Sequence, residues 1–261
     1  MPAKTADGEI IESIGYFTNH QGITHIFFEK GNSYKYIAAS TFSASNNKNI
    51  SLKCIYLPEG LESIGNYAFN GLTTLITIGE NNKLPAGLKS IGDSAFARLI
   101  GGTINLQVHI DELPEGLTSI GGSAFSFAGD NIRITKLPIN IEILPAYVFQ
   151  CCKNVSINEF GSDPGVAGGS KLRDIGTGAF YMTGTSGGTN KNIENLYIYK
   201  SIDKLVARTT IAGGTNYFGS FESYGPSTMK VYSTHAPGDK DWNYAGIGFP
   251  SEIEFGFVPE T

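Results

Sequence analysis

Apolar and polar positions follow one thirteen-residue pattern that the first half of the chain contains three times. The stretch LPEGLESIGNYAF begins at Leu57, LPAGLKSIGDSAF at Leu84 and LPEGLTSIGGSAF at Leu113. Apolar residues hold the same places in all three, and small or charged residues fill the places between them. A period of about 20–50 residues is typical of a solenoid, in which each unit forms one coil and buries its apolar face against the next.

The pattern extends to six units when each is anchored on its last aromatic residue. The anchors recur at steps of 27, 27, 29, 24 and 31 residues (differences of residue numbers), at Phe42, Phe69, Phe96, Phe125, Phe149 and Phe180. Five residues before each anchor stands a large aliphatic residue, at Ile37, Ile64, Ile91, Ile120, Leu144 and Ile175. We predict that stacked coils place these residues in two ladders, one aliphatic and one aromatic, inside a continuous core.

Small residues and proline mark the turns of each unit. Alanine precedes the anchor phenylalanine in four units, where it leaves room for the ring of the next coil. Glycine follows the aliphatic residue at Gly65, Gly92, Gly121 and Gly176, and we expect it to turn the chain at positive φ. The proline of each LP pair is expected to end a strand. The segment before each anchor suits a single helical or 3₁₀ turn.

Upstream of the LP pairs, apolar residues alternate with polar ones. The inward positions are Leu52, Ile55, Leu57, Ile104, Leu106, Val108, Ile110, Ile132, Ile134, Leu137, Leu196 and Ile198. Alternation with period two indicates half-buried strands. We therefore predict one main strand and one short second strand in each coil, and about six to eight coils in a mainly β solenoid.

Composition and charge narrow the classes of partner. Charged residues make up 16% of the 261 residues, against about 25% in a usual globular chain. The net charge of -5 and the absence of a basic cluster disfavour nucleic acid as a partner.

No apolar run approaches the roughly 20 residues of a membrane helix, so we expect no membrane insertion. The first ten residues do not resemble a signal peptide. We expect an extracellular or cell-surface location if a leader was removed, and otherwise a virion or the cytoplasm.

No set of residues points to catalysis, and we expect no enzyme activity, cofactor or metal. The histidines His20, His25, His109 and His235 share no ligand spacing. The acidic residues recur because the repeat recurs, without a partner at a catalytic separation. The segment GTGAF is part of the repeat and lacks the spacing of a phosphate loop. The three cysteines, Cys54, Cys151 and Cys152, are expected to be reduced.

The repeat resembles the BspA-like leucine-rich repeat, which reads roughly L-x-x-I-x-L-P-x-x-L-x-x-I-G-x-x-A-F-x-x-C. The stretch LKCIYLPEGLESIGNYAFNG matches it nearly throughout, and the likeness extends over about 37–180. Cys152 falls on the cysteine position, three after Phe149, which implies a small buried core residue. The resemblance implies a right-handed leucine-rich-repeat solenoid, mainly β with short helical or 3₁₀ turns. It also implies a non-catalytic binding or adhesion module at a microbial cell surface.

The chain divides into three parts of one solenoid. We predict an N-terminal cap at 1–31, the repeats at 32–190, and an irregular repeat with a cap at 191–261. The register fades after Phe180, and the exposed end is expected to be sealed by Trp242, Phe249, Ile253 and Phe255. An uncapped solenoid would leave a sheet edge and an apolar face open to water.

The candidate partner surface consists of outward strand residues and two Gly-rich loops. Alternation with the buried positions places six side chains outward, namely Tyr56, His109, Arg133, Thr135, Tyr197 and Tyr199. The loops 161–170 and 184–190 interrupt the repeat. The outward tyrosines either anchor a partner or form a ladder that covers neighbouring residues, and the sequence leaves both open. We expect the partner to be a protein or a glycan. The alternative is a structural component of a larger assembly, such as a phage tail, baseplate or virion surface protein, with itself or virion proteins as partners.

Overall fold

The computed structural model describes most of the 261-residue chain. The described residues are 13–15, 22–28, 34–44, 51–75, 77–79, 81, 83–99, 110–163, 165–181, 183, 193–207, 209–210, 216–217, 219–222, 224, 228–240, 242, 247–249 and 253–258. In chain order the strands are β1 (Ser13–Ile14), β2 (His25–Ile26), β3 (Tyr36–Ile37), β4 (Cys54–Ile55), β5 (Ser63–Ile64), β6 (Thr77–Ile78), β7 (Ser90–Ile91), β8 (Ser119–Ile120), β9 (Ile143–Leu144), β10 (Glu159–Phe160), β11 (Asp174–Ile175), β12 (Asn195–Ile198), β13 (Lys204–Leu205), β14 (Thr209–Thr210), β15 (Asn216–Tyr217), β16 (Lys230–Ser233) and β17 (Ile253–Phe255).

Parallel strands stack in two columns, as the solenoid prediction requires. The aliphatic column contains two sheets, ordered β1-β3-β5-β7-β8 and β13-β11-β9. The outer column contains β2-β4-β6, a bridge between Ile110 and Ile132, and the sheet β10-β12-β16-β17. In the aliphatic column, Ile37 pairs with Ile64, Ile64 with Ile91, and Ile91 with Ile120. The predicted aliphatic ladder is confirmed.

The aromatic ladder is also confirmed. The ring centroids of Phe69 and Phe96 lie 5.2 Å apart, and those of Phe96 and Phe125 lie 5.5 Å apart, with nearly parallel planes. Phe42, Phe149 and Phe180 continue the same stack at its two ends. All of these rings are buried, and they belong to one hydrophobic cluster that extends from the first strand to the last.

The segment before four of the ladder phenylalanines, Phe69, Phe96, Phe125 and Phe180, is a 3₁₀-type turn that is interrupted at every second residue. The backbone N–H of Ala68 donates to the carbonyl of Gly65, three residues back. The N–H groups of Tyr67 and Phe69 instead donate to carbonyls of the next coil, each over 2.8 Å. Tyr67 has a φ of 57°. This left-handed residue ends the helical turn after one step, so alternate amides are free to link the coils.

The glycines after the aliphatic residues have a different role from the one predicted. None of the four, Gly65, Gly92, Gly121 and Gly176, adopts a positive φ. A Cβ atom on Gly65 would lie 2.6 Å from the backbone nitrogen of Ala39 in the preceding coil. The prediction of positive φ was wrong, because these positions serve the close approach of one coil to the next. The positive φ falls instead two residues before each anchor, at Ser40, Tyr67, Ser94, Ser123, Tyr147 and Gly178.

The repeat continues beyond Phe180, where the sequence pattern fades. Leu205 in β13 pairs with Ile175 and thereby extends the aliphatic ladder. Phe221 stacks on Phe180, with centroids 5.2 Å apart, and extends the aromatic ladder. Between Leu205 and Phe221 the antiparallel hairpin β14–β15 is inserted. The hydroxyl of Ser220 closes the insertion, since it accepts the N–H of Val206 and donates to the carbonyl of Ile175.

The last segments pack onto the end of this core. Phe249 lies against Phe221 with centroids 5.1 Å apart, and Ile253 is buried in β17. Trp242 and Phe255 are partly buried against the core. These are the four residues that the sequence assigned to the closing segment.

We expect acid to destabilise this segment through His235. The imidazole is buried, its Nδ1 lies 2.8 Å from the Ser233 hydroxyl, and its Nε2 forms no hydrogen bond with any described residue. Burial and then the Lys240 ammonium lower the pKa of His235 below its ordinary value of 6.5, against smaller opposing effects of Asp239, Asp203 and the nearby backbone of Ile202. The unfolded chain therefore binds the proton more readily, and stability should fall as the pH drops below about 6.5.

The measurement is the thermal midpoint between pH 7.5 and 5.5, in the natural chain and in His235→Gln. The natural chain should lose stability over this range, and the variant should lose clearly less. Equal slopes for the two proteins would contradict the assignment.

Candidate functional site

The outer column carries the described candidate site residues, and strand alternation turns the side chains of Tyr56, Arg133 and Thr135 outward. Ile55 is buried and Tyr56 is exposed, while Ile134 is buried and both Arg133 and Thr135 are exposed. In β12, Leu196 and Ile198 are buried, whereas Tyr197 and the following Tyr199 are only half-buried. His109 and the loop 184–190 lie outside the described residues.

Tyr56 belongs to an exposed aromatic pair at the first coils. Its ring stacks on Phe27 at 5.0 Å between centroids, and His25 lies 6.3 Å beyond Phe27. The exposed fractions are 58% for Phe27 and 39% for Tyr56. Phe27 is not among the residues predicted for the partner surface, although the alternation of His25, Ile26 and Phe27 contained the signal.

Tyr197 covers neighbouring residues. Its ring stacks on Tyr232 at 5.4 Å, and Phe257 lies 5.2 Å from both rings. Of the two interpretations of the outward tyrosines, the covering ladder therefore describes Tyr197 better than the exposed anchor does. Replacing this residue would disturb stability as well as any partner surface, so it makes a poor probe of binding.

Thr135 and Tyr199 meet in a groove of about 1060 Å³ beside the loop 161–170, which we call the loop groove. Thr135 comes from the coil before the loop, and Tyr199 from the coil after it, because the N–H of Ser156 donates to Ile134 and that of Tyr199 to Phe160. The walls include two exposed apolar residues, Val166 at the loop and Val258 near the C-terminal end. Arg133 and Tyr56 do not line this groove.

The loop is held in place by hydrogen bonds at both of its ends. The Ser162 hydroxyl donates to the carbonyl of Ser170 over 2.8 Å, and the Ser162 N–H donates to the Ser201 hydroxyl over 2.9 Å. Asp163 accepts the hydroxyl of Thr234 and, over 3.4 Å, the N–H of Lys200. The groove wall is thus preorganised, which reduces the entropy that binding would cost.

The groove has acidic groups beside its aromatic wall. Glu159 and Asp163 line it together with Lys136. Burial, followed by the carboxylates of Glu159 and Asp163, raises the pKa of Tyr199. The phenol therefore remains protonated at neutral pH and can donate a hydrogen bond. This arrangement suits a partner with hydrogen-bond donors or positive charge facing apolar groups.

In the described part of the chain, no group of three or more His, Cys, Asp or Glu residues could hold a metal ion. Within the same residues, no helix is long and apolar enough to cross a membrane.

The three thiols are free, and Cys152 is completely buried, with its Sγ donating to the carbonyl of Phe125 over 3.0 Å. The predicted burial of Cys152 is confirmed.

We expect Cys152 to resist thiol reagents in the folded protein. Burial raises the pKa of Cys152 strongly and that of the half-buried Cys151 as well, and a thiol reacts only as the thiolate. With Cys54 and Cys151 replaced by serine, the remaining thiol should label only after denaturant is added. Rapid labelling of Cys152 in the native state would contradict its place in the core.

Comparison with known proteins places the repeats in a family. The BspA type leucine rich repeat region matches in six copies, over residues 40–115 and 80–205. The chain is similar to a leucine-rich repeat protein from Bacteroides ovatus, at 19% identity and a TM-score of 0.45, covering 98% of this chain and 68% of that one. It is also similar to the pneumococcal vaccine antigen PcpA, at 19% identity and a TM-score of 0.37, covering 95% of this chain and 45% of that one. No curated protein matches significantly.

The family match and the two ladders rest on the same positions. The matched residues cover more than half of the chain and include the aliphatic and aromatic ladders from Phe42 to Phe180. Leu205, at the edge of the matched region, extends the aliphatic ladder, and Phe221, beyond that edge, extends the aromatic ladder. The chain belongs to the BspA-type leucine-rich repeat family.

Proposed function

We propose that the chain is a non-catalytic binding or adhesion module that presents its outer column and the loop groove to a protein or glycan partner at a microbial cell surface. Leucine-rich repeats of this type are generally an interaction fold without catalytic activity, and they often occur in surface adhesion proteins. The observation that carries the proposal is the loop groove, where Thr135, Tyr199 and the loop 161–170 come together.

The groove has the features of a binding site. Ligand sites are typically concave, largely apolar and equipped with a few fixed polar groups. Here Val166, Val258 and the Tyr199 ring supply the apolar area. Glu159 and the Thr135 hydroxyl supply polar groups that can orient a partner.

The outer column adds a second contact region. Counted along the aromatic ladder from Phe42 to Phe149, Tyr56 lies three coils and Phe27 four coils before the coil of Thr135. Exposed aromatic side chains on a rigid face are common anchors of interfaces, because they bury a large area at little entropic cost. A large partner could contact both regions, whereas a small one would occupy the groove alone.

The test is a double variant that alters two residues of the groove lining, Thr135→Arg with Val166→Asp. Both residues are exposed, so the thermal midpoint should change little. Binding to purified extracellular-matrix proteins and mucins would be measured by biolayer interferometry. We expect at least one of them to bind the natural chain, with an affinity that falls at least tenfold in the double variant.

The matched control is Ile143→Asp, a similar change at an exposed apolar residue of the aliphatic column. It should bind as the natural chain does. Equal affinities for all three proteins would remove the groove from the interface. Self-association that disappears only in the double variant would favour the structural role in an assembly instead.

A further inference from the structure

A second groove, which we call the hydroxyl groove, follows the turns along the solenoid. It has a volume of about 660 Å³ and shares no lining residue with the loop groove. Four of its residues, Ser40, Tyr67, Ser94 and Ser123, hold the same repeat position in successive coils, two before the ladder phenylalanine. The groove therefore offers a row of similar groups at the spacing of the coils, which is 5.2–5.5 Å between neighbouring ladder rings from Phe42 to Phe125.

The floor of the hydroxyl groove consists mainly of hydroxyl and amide groups. The position after the ladder phenylalanine contributes Ser43, Asn70, Ala97, Ser126 and Gln150. Ser126 donates to the Gln150 side chain over 3.0 Å. Ser43 itself is only 1% exposed. The half-buried hydroxyl and amide groups of the lining, such as those of Ser94, Ser123 and Gln150, can exchange hydrogen bonds with a ligand.

Two aromatic rings and one cation also line the groove, and they come from three consecutive coils. The side chains of Tyr67 and Phe127 are 48% and 40% exposed, and Arg98 comes from the coil between them. Arg98 forms no ion pair with any described residue, and no carboxylate lines the groove. A lone unpaired guanidinium in a chain of net charge -5 favours a ligand with a negative group at that point.

The backbone of the groove excludes recognition by strand addition. The N–H groups of Tyr67, Arg98 and Phe127 already donate to carbonyls of the next coil, at Asp93, Ser126 and Gln150. An extended peptide would find no row of open backbone donors there. Nucleic acid needs several cations along its phosphates, and the lining has one.

We infer that the hydroxyl groove binds a linear polysaccharide that carries carboxylate groups. The rings of Tyr67 and Phe127 pack against the apolar faces of sugar units, and the serine, asparagine and glutamine groups exchange hydrogen bonds with sugar hydroxyls. Arg98 pairs with a sugar carboxylate through two parallel hydrogen bonds, the geometry in which guanidinium binds carboxylate best. The hydroxyl groove and the loop groove are separate sites, so an experiment can disprove binding at one without disproving binding at the other.

The test uses the whole chain and polymers that differ only in charge. Polygalacturonate, alginate and hyaluronate would be compared with their methyl-esterified forms by affinity electrophoresis. At least one carboxylated polymer should retard the natural chain, and its ester should retard it less. Retardation by none of the three carboxylated polymers would overturn the inference.

Three glycine variants locate the site without disturbing the fold. Tyr67, Arg98 and Phe127 all have left-handed φ values of 56–57°, which glycine adopts freely, so the thermal midpoint should not fall. Tyr67→Gly and Phe127→Gly should each weaken binding at least tenfold for both forms of the polymer. Arg98→Gly should abolish the preference for the carboxylated form.

The matched control is Tyr36→Ala, an exposed tyrosine in β3 of the aliphatic column. It should bind as the natural chain does. Unchanged binding in all three glycine variants would overturn the inference, and so would an equal loss in the Tyr36 variant. The loop-groove double variant should retain polysaccharide binding, which separates this site from the proposed function.

Discussion

Replacing Phe96 with alanine should lower the free energy of unfolding by about 3–5 kcal/mol. The ring is completely buried and lies between Phe69 and Phe125, at 5.2 and 5.5 Å between centroids. Its removal leaves a cavity in the middle of the ladder, and the coils on both sides cannot collapse into it because backbone hydrogen bonds fix their spacing. Chemical denaturation of the two proteins measures the difference.

Phe27→Ala is the control for this substitution. Phe27 is the most exposed phenylalanine among the described residues, so its removal should cost less than about 1 kcal/mol. A near-neutral effect at Phe96 would show that its ring is not in the core. A loss at Phe27 as large as that at Phe96 would show that exposure does not separate the two positions.

Gly92→Ala should destabilise the chain by about 1–3 kcal/mol or prevent folding, although it adds only one methyl group. A Cβ atom at this position would lie 2.7 Å from the carbonyl carbon of Gly65 in the preceding coil. The obstacle is backbone, so no side-chain rotation can relieve it. The coils would have to separate, which would weaken the bond from the Gly92 N–H to the Ile64 carbonyl.

Gly87→Ala, in the same coil, is the matched control. Its Cβ atom would meet only ordinary contacts, the nearest at 3.6 Å, and its φ is not positive. Stability should therefore stay unchanged or rise slightly, because alanine restricts the unfolded chain. If the two alanine variants were equally stable, the close approach of the coils at Gly92 would be contradicted.

The ladders were predictable because the same repeat position is buried in the core of every coil. Ile64 and Phe69 have no special property alone, but the constant interval between them, kept in six units, leaves the solenoid as the simple explanation. The outward direction of Tyr56 and Arg133 was predictable for a similar reason. Strand alternation is local, so it requires no knowledge of the remaining chain.

The glycine positions and the turns were harder, because residue type did not reveal the backbone. The sequence suggested positive φ at Gly92, yet the left-handed residues are Ser94 and Arg98. Glycine was needed where two backbones approach, and hydrogen bonds to the next coil hold the non-glycine residues in the left-handed conformation. Such a constraint comes from the neighbouring coil and leaves no local signal.

Phe221 and the loop groove escaped prediction because of distance along the chain. The hairpin β14–β15 separates Leu205 from Phe221, so the constant interval of the ladder is lost. The loop groove combines Thr135, Val166, Tyr199 and Val258, which four separate segments contribute. Alternation could place Thr135 and Tyr199 on one face, but it could not bring Val258 to them.

Amide hydrogen exchange can show whether the chain binds its partner through the outer column and the loop groove. Exchange would be measured with and without the matrix protein or mucin that binds in the interferometry experiment. We expect slower exchange at residues 161–170 and 195–199 in the complex, with little change in the aliphatic column. Protection confined to the aliphatic column or to the region of Trp242, with 161–170 unchanged, would contradict it.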